Sequence, residues 1–472
     1  MRLPDVRAWL LVLAVTVGVA GCTIHLALER YRQLRSGWSW DLAYYNQWLW
    51  ALTHGEGQIT VRPIASYMNE GPSVWKTNYL SPARYMLVPL YRLWPDPQLL
   101  LVVHSVVFWL LLPASYGLVR LETGSSVAGL AAIPLVLLTP LVWPMALNDF
   151  RELQLGMPFA IWAVHGVRAR ALGLTALGIG GMLACRQEYA LLVATLAFIP
   201  PRGAGRESIV HRFAWAASLW FLGLGWLFVV FFGYLVKVSG WLTPMGYLRQ
   251  FAGPRPGLGE TLWTALDFLL VGLGSWSLIS LTIPRIGLLA LPWVWGVAAG
   301  RWALPLIATT EWHHVRYAAP FLAVGLAAGL VGGSRLWRLA GVFLNSPRRW
   351  RCAMWLVAAT GLVAAGSVVY ARFSRIPYPI DAAEVDEIWR WIEQVGPEDG
   401  VLAHYDVTAP LSSRRLLSSY VLQQNRPQGF PDGLDSAYRW VFIHRDELPR
   451  ELFFSQGFEL VHRGASIEIY RR

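Results

Sequence analysis

The chain has 472 residues, of which 55% are hydrophobic and only 15% charged, with a formal net charge of +11. Soluble domains carry roughly 25% charged residues, so a water-soluble globular protein is excluded. The positive charge is almost all arginine (Lys76 and Lys237 are the only lysines) and sits in short loops between apolar runs, which speaks against a nucleic-acid surface and for a membrane-orientation signal.

Apolar runs long enough to cross a bilayer recur along the chain. Taken in order they lie at 8–28, 98–118, 125–147, 154–167, 171–185, 188–200, 213–236, 262–283, 286–300, 315–333 and 353–371, about eleven spans in all. The first contains Val19-Ala20-Gly21-Cys22, which looks like a bacterial lipoprotein box. Apolar sequence continues through Leu28, so an ordinary small-residue helix end is the better reading. Cys22, Cys185 and Cys352 have no spacing that suits a disulfide framework or a zinc site.

With the amino terminus in the cytoplasm, alternation puts Arg120, Arg168, Arg170, Arg202, Arg206, Arg212 and Arg285 on the same side. Arg335, Arg338, Arg348, Arg349 and Arg351 join them there, as the positive-inside bias requires. The long first loop (29–97), the loop at 148–153, the loop at 237–261 and the tail after 371 then lie outside. Pro134, Pro140, Pro144, Gly178, Gly180 and Gly181 interrupt spans, through close packing of small residues or beside a wet cavity. The expected organisation is a transmembrane unit at 1–375 and a small extracytoplasmic α/β unit at 376–472. The latter comprises an amphipathic helix from Asp381 to Gln394, buried strands at 401–405 and 440–443, and a hairpin turned at Arg463-Gly464.

Four polar islands interrupt the apolar pattern. Asp41 lies among tryptophans in the first outer loop, with Tyr44, Tyr45 and Asn46 beside it and no cation within its helical turn; a carboxylate there needs a partner or a task. Aromatic belts account for the tryptophans but not for the acid. Asn148-Asp149-Phe150-Arg151-Glu152 is either a solvated turn or a second wall of the same mouth. Arg186 and Glu188 break an apolar stretch, as an internal ion pair or as an anion site. His314 and Arg316 close the series; His313 and His314 are neighbours that point apart on a helix and suit a shared metal poorly. In this topology all four islands reach the outer face.

The order of these features resembles a family of bacterial and archaeal multi-pass membrane proteins related to the GT-C superfamily of membrane glycosyltransferases. The resemblance rests on Asp41-Leu42-Ala43-Tyr44-Tyr45-Asn46-Gln47 followed by Trp50 and His54-Gly55, then Tyr79-Leu80-Ser81-Pro82 and Pro89-Leu90-Tyr91. Asp149-Phe150-Arg151-Glu152, Arg186-Gln187-Glu188-Tyr189 and the segment from His314 to Pro320 continue it. Asn46 stands where the family has a second acid, and Tyr79 and Arg151 replace two histidines.

The resemblance implies a GT-C-like helical membrane fold that transfers a sugar from a polyprenyl-phosphate donor to an envelope glycan, lipid or protein. Asp41 would be the general base, with Asp149 the second catalytic acid. Arg186 and Arg316 would hold the donor phosphate, and Tyr45, Asn46, Arg151, Glu152, Glu188 and His314 would line the substrate site. Membrane lipids are the other expected partners and nucleic acid is not one. No cofactor follows from the residues; a divalent metal stays open, with no ligand set assigned. Two alternatives stand beside this reading: a transporter or flippase of a lipid-linked or anionic substrate, and a non-enzymatic envelope scaffold.

Overall fold

The computed structural model describes residues 3–35, 39–61, 80–202, 209–235, 257–280, 282–283, 318–343, 347–373, 380–420, 434, 436–446 and 448–472. The first helix, α1 (Leu3–Arg32), is about 45 Å long at 1.5 Å per residue, enough to cross a bilayer. It buries Ala8, Val12, Ala20, Ala27 and Tyr31 along one stripe. Leu10, Leu11, Leu13 and Val17 stay exposed, as they must if they face lipid tails.

Then follow α2 (Ser39–His54), α3 (Pro82–Met86), α4 (Val88–Leu93), α5 (Pro97–Trp109), α6 (Leu111–Thr123), α7 (Ser126–Leu137), α8 (Val142–Ala146), α9 (Glu152–Ala169), α10 (Leu172–Cys185), α11 (Tyr189–Thr195) and α12 (Ile209–Phe228). Further on lie α13 (Leu258–Asp267), α14 (Trp276–Ser280), α15 (Ala319–Phe343) and α16 (Pro347–Phe373). Among the described residues five helical stretches are long and apolar enough to span a membrane, at 6–32, 97–123, 213–234, 319–342 and 348–370. The helices at 126–137, 172–185 and 189–198 are apolar but shorter. The expected span at 286–300 lies outside the described residues.

Prolines and glycines shape the bundle in two different ways. Pro113, without an N–H to offer, sits just past the junction of α5 and α6 and leaves a main-chain bond unmade there. The glycines of α10 serve close packing: a Cβ on Gly178 would meet the backbone of Ala163, and one on Gly181 the ring of Phe159, both on α9. Gly180 faces open space.

At one end of the bundle the expected cytoplasmic arginines gather round one carboxylate. Glu122, fully buried, takes Arg168 Nε at 2.5 Å and Nη2 at 2.9 Å, and Arg338 lies 3.8 Å away. The Arg202 N–H donates to the Arg168 carbonyl at 3.0 Å.

The C-terminal part forms one five-stranded sheet, β1 (Gly400–His404), β2 (Leu417–Tyr420), β3 (Tyr438–His444), β4 (Glu459–Arg463) and β5 (Ile467–Arg471), in the order β2-β1-β3-β5-β4. β1 runs parallel to β2 and β3, while β5 is antiparallel to β3 and β4. The expected helix is α17 (Val385–Ile392), and a last short helix is α18 (Glu451–Phe454). The hairpin is present; β2 has no counterpart in the sequence reading, because Leu417-Ser418-Ser419-Tyr420 carries too little apolar signal.

Alternation divides the sheet's apolar residues between its faces. Leu402, Val441, Ile443 and Tyr470 pack with Phe453 and Phe458 on one side. Val401, Ala403, Trp440, Phe442, Ile467 and Ile469 join Ile388 and Ile392 on the other, in a core continuous with Leu42, Trp48 and Leu49 of α2 and with Tyr91 and Leu99. The sheet therefore sits on α2.

Gln47 pins this junction with both ends of its amide. Its Nε2 donates to Thr60 Oγ1 at 2.9 Å and to the Arg414 carbonyl at 3.1 Å, and its Oε1 accepts from the N–H groups of Thr60 and Val61 at 3.0 and 2.7 Å.

Candidate functional site

α2 starts at Ser39 and carries Asp41 in its first turn, where the helix dipole favours a carboxylate. α9 starts at Glu152, again with the acid in the first turn, and Arg151 precedes it in extended conformation as the N-cap. The two helix starts meet. Arg151 forms an ion pair with Asp41, and its guanidinium lies 5.7 Å from the ring centre of Tyr45, one turn further along α2. Tyr45 donates its hydroxyl to Glu152 Oε2 at 2.6 Å, and Glu152 Oε1 receives the Nε–H of Arg84 from α3. Arg84 also stacks 4.9 Å over the Tyr45 ring and 5.9 Å over Trp48. Asp41, Tyr45, Arg84, Arg151 and Glu152 thus form one connected polar chain. All five are buried.

This corrects the expectation that Asp41 stands without a neutralising cation. No cation lies near it in sequence, but Arg151 reaches it from 110 positions away (151 minus 41) because α9 begins against α2. Arg84 is the residue the sequence reading missed. The signal available was its position two residues after the Ser81-Pro82 element, in a helix whose preceding Ser81 contacts the Ala184 carbonyl at 3.4 Å.

Arg84 also has hydrogen-bonding capacity to spare. Its Nη1 and Nη2 are buried and have no hydrogen-bond partner among the described residues, although the guanidinium has five N–H donors. Burial disfavours its charge, and Glu152 with Tyr45 more than offsets this, so the guanidinium's pKa is raised and it stays ionised. Burial, with the negative charge of Glu152 next in weight, pushes the Tyr45 phenol well above its ordinary range and keeps it a neutral donor.

The other expected residues fall into three groups. Asp149 is buried beside the chain, with its N–H capped by Asn148 Oδ1 at 2.9 Å. Arg186 and Glu188 form a two-pronged pair at 3.0 and 2.5 Å within the turn between α10 and α11, the internal-pair reading. Arg186 is nonetheless close enough to act electrostatically on Tyr45 and Glu152. Asn46 points away to the sheet, donating to Ser412 Oγ at 2.8 Å and Ser413 Oγ at 3.0 Å, so it helps to dock the C-terminal unit. His314 and Arg316 lie outside the described residues. Three of the four polar islands are therefore brought together by α2, α9 and the 186–188 turn.

No family model matches the chain, and no curated protein matches its sequence. Among solved structures it is similar to the crystal structure of ArnT from Cupriavidus metallidurans in the apo state. The TM-score is 0.51 at 12% identity, over 97% of this chain and 97% of that one. At that identity the likeness is one of fold, and it extends through both the helical bundle and the C-terminal sheet. The architecture is thus similar to that of ArnT: a multi-pass helical bundle with, among the described residues, five stretches long and apolar enough to span a membrane, and a small C-terminal sheet, as the order of the motifs led one to expect.

Proposed function

We propose that this protein is a membrane glycosyltransferase of the GT-C kind, moving a sugar from a polyprenyl-phosphate donor to an envelope glycan, lipid or protein at the outer face of the cell membrane. The observation that carries the proposal is the buried chain Asp41–Arg151–Tyr45–Glu152–Arg84 in an ArnT-like fold. Burying this many charges is costly, and a bundle built for stability alone is served as well by apolar packing.

Asp41 is the base that takes the proton from the acceptor hydroxyl as its oxygen attacks the anomeric carbon and the bond to the donor phosphate breaks. Arg151 pairs with that carboxylate and fixes its rotamer, supplying a permanent positive charge where the resembled family has a histidine. Arg84 presents its two terminal nitrogens to the departing lipid phosphate, with Arg186, and Arg316 from the last island, adding positive field. Glu152 and Tyr45 position Arg84. Asp149 and Glu188 shape the site. Arg168 and Arg338 at Glu122, with Arg202 bonded to the Arg168 and Leu121 carbonyls, support a cytoplasmic end there.

The test is transfer of label from polyprenyl-phosphate sugars into envelope extract by purified protein. Asp41→Asn should abolish transfer while leaving the protein folded and inserted; turnover near that of the unaltered protein overturns the assignment of the base.

A further inference from the structure

We infer that the C-terminal sheet carries a binding site for one divalent transition metal, of the zinc class, formed by His404, Asp406 and His444. His404 ends β1, Asp406 follows it in a single tight turn, and His444 ends the neighbouring parallel strand β3. The three meet at the carboxyl ends of two parallel strands whose chains leave in opposite directions. β1 continues to β2 on one side, and β3 lies next to β5 on the other. This is the crevice in which open parallel sheets bind ligands.

The donor atoms are already assembled. Asp406 Oδ2 lies 3.1 Å from His404 Nδ1 and 3.0 Å from His444 Nε2, and one donor atom from each residue falls within 4.8 Å of the other two. Four ligands at the usual zinc distances stand about 3.3 Å apart, which the two Asp406 distances already approach. His404 and Asp406 are buried and His444 is partly open, which leaves a direction for a fourth ligand from solvent. Two imidazoles and one carboxylate suit zinc and its neighbours rather than magnesium or calcium.

The turn bearing Asp406 packs on α2, so the ion would stiffen the edge that seats the sheet on the membrane unit.

The experiment uses the full chain in detergent, purified without a polyhistidine tag, stripped with a chelator and titrated with Co²⁺ and then Zn²⁺. Equilibrium dialysis and visible absorption should show one tetrahedral Co²⁺ per chain, displaced by Zn²⁺. His404→Ala, His444→Ala and Asp406→Asn should each weaken binding by on the order of 100-fold or more, while His462→Gln, on the same sheet, leaves it unchanged. If His404→Ala fails to fold, the partly open His444 and the near-isosteric Asp406→Asn still decide the question. No uptake, or uptake that survives both His444→Ala and Asp406→Asn, overturns the site and leaves a hydrogen-bonded trio.

Discussion

Replacing Glu152 by Leu tests whether the polar chain is coupled as its geometry implies. The carboxylate is fully buried and satisfies Arg84 and Tyr45 at once. Its removal leaves a guanidinium in the protein interior with its counter-charge gone, a loss of roughly 3–5 kcal/mol. The Tyr45 hydroxyl loses its acceptor as well, about 1–3 kcal/mol more. Arg84→Met should cost about 3–5 kcal/mol by the mirror argument. In the double variant no uncompensated charge remains and only the Tyr45 hydroxyl is left wanting, so its loss should fall several kcal/mol short of the sum of the singles. Denaturant unfolding in detergent, followed by tryptophan fluorescence, measures all four corners of the cycle. Sugar transfer should be lost in every variant: Arg84→Met removes the donors to the phosphate, and Glu152→Leu leaves them unpositioned. Additive losses, or single variants as stable as the unaltered chain, would refute the coupling.

Three further outcomes follow from other contacts. Arg151→Met should abolish transfer and destabilise the bundle by about 3–5 kcal/mol, since it leaves Asp41 buried without its ion-pair partner; the transfer assay and unfolding midpoints check this. Gln47→Ala removes all four hydrogen bonds that tie α2 to the 60–61 segment and the 414 carbonyl, about 2–4 kcal/mol in total. It should expose the β2 edge to limited proteolysis before the helical bundle opens. Gly178→Val should force α9 and α10 apart at Ala163 and cost about 1–3 kcal/mol, whereas Gly180→Ala, facing open space, should be neutral or slightly stabilising in thermal scans.

Much of the fold was legible because its causes are local. Five of the expected spans, at 8–28, 98–118, 213–236, 315–333 and 353–371, coincide with helical stretches long and apolar enough to cross a bilayer, since length and hydropathy decide whether a segment suits lipid. α17 and the closing hairpin were legible through periodicity and turn residues. β2 was not, since its serines suit a loop as well as a strand, and its pairing with β1 comes from neighbours far off in the chain.

The candidate site divides along the same line. That Asp41, Asp149, Arg151, Glu152, Arg186 and Glu188 are out of place in an apolar chain is a property of composition, visible one residue at a time. Which of them touch is not. Asp41 meets Arg151, Tyr45 meets Glu152, and Asn46 turns to Ser412 because helix starts and sheet edges remote in sequence are packed together. His404 and His444 share Asp406 only because two parallel strands stop at the same level. The chain by itself settles where charge is expensive; the packing of α2 against α9 and the sheet settles what neutralises it, because ionic contacts depend on distance through space and carry no trace in sequence spacing.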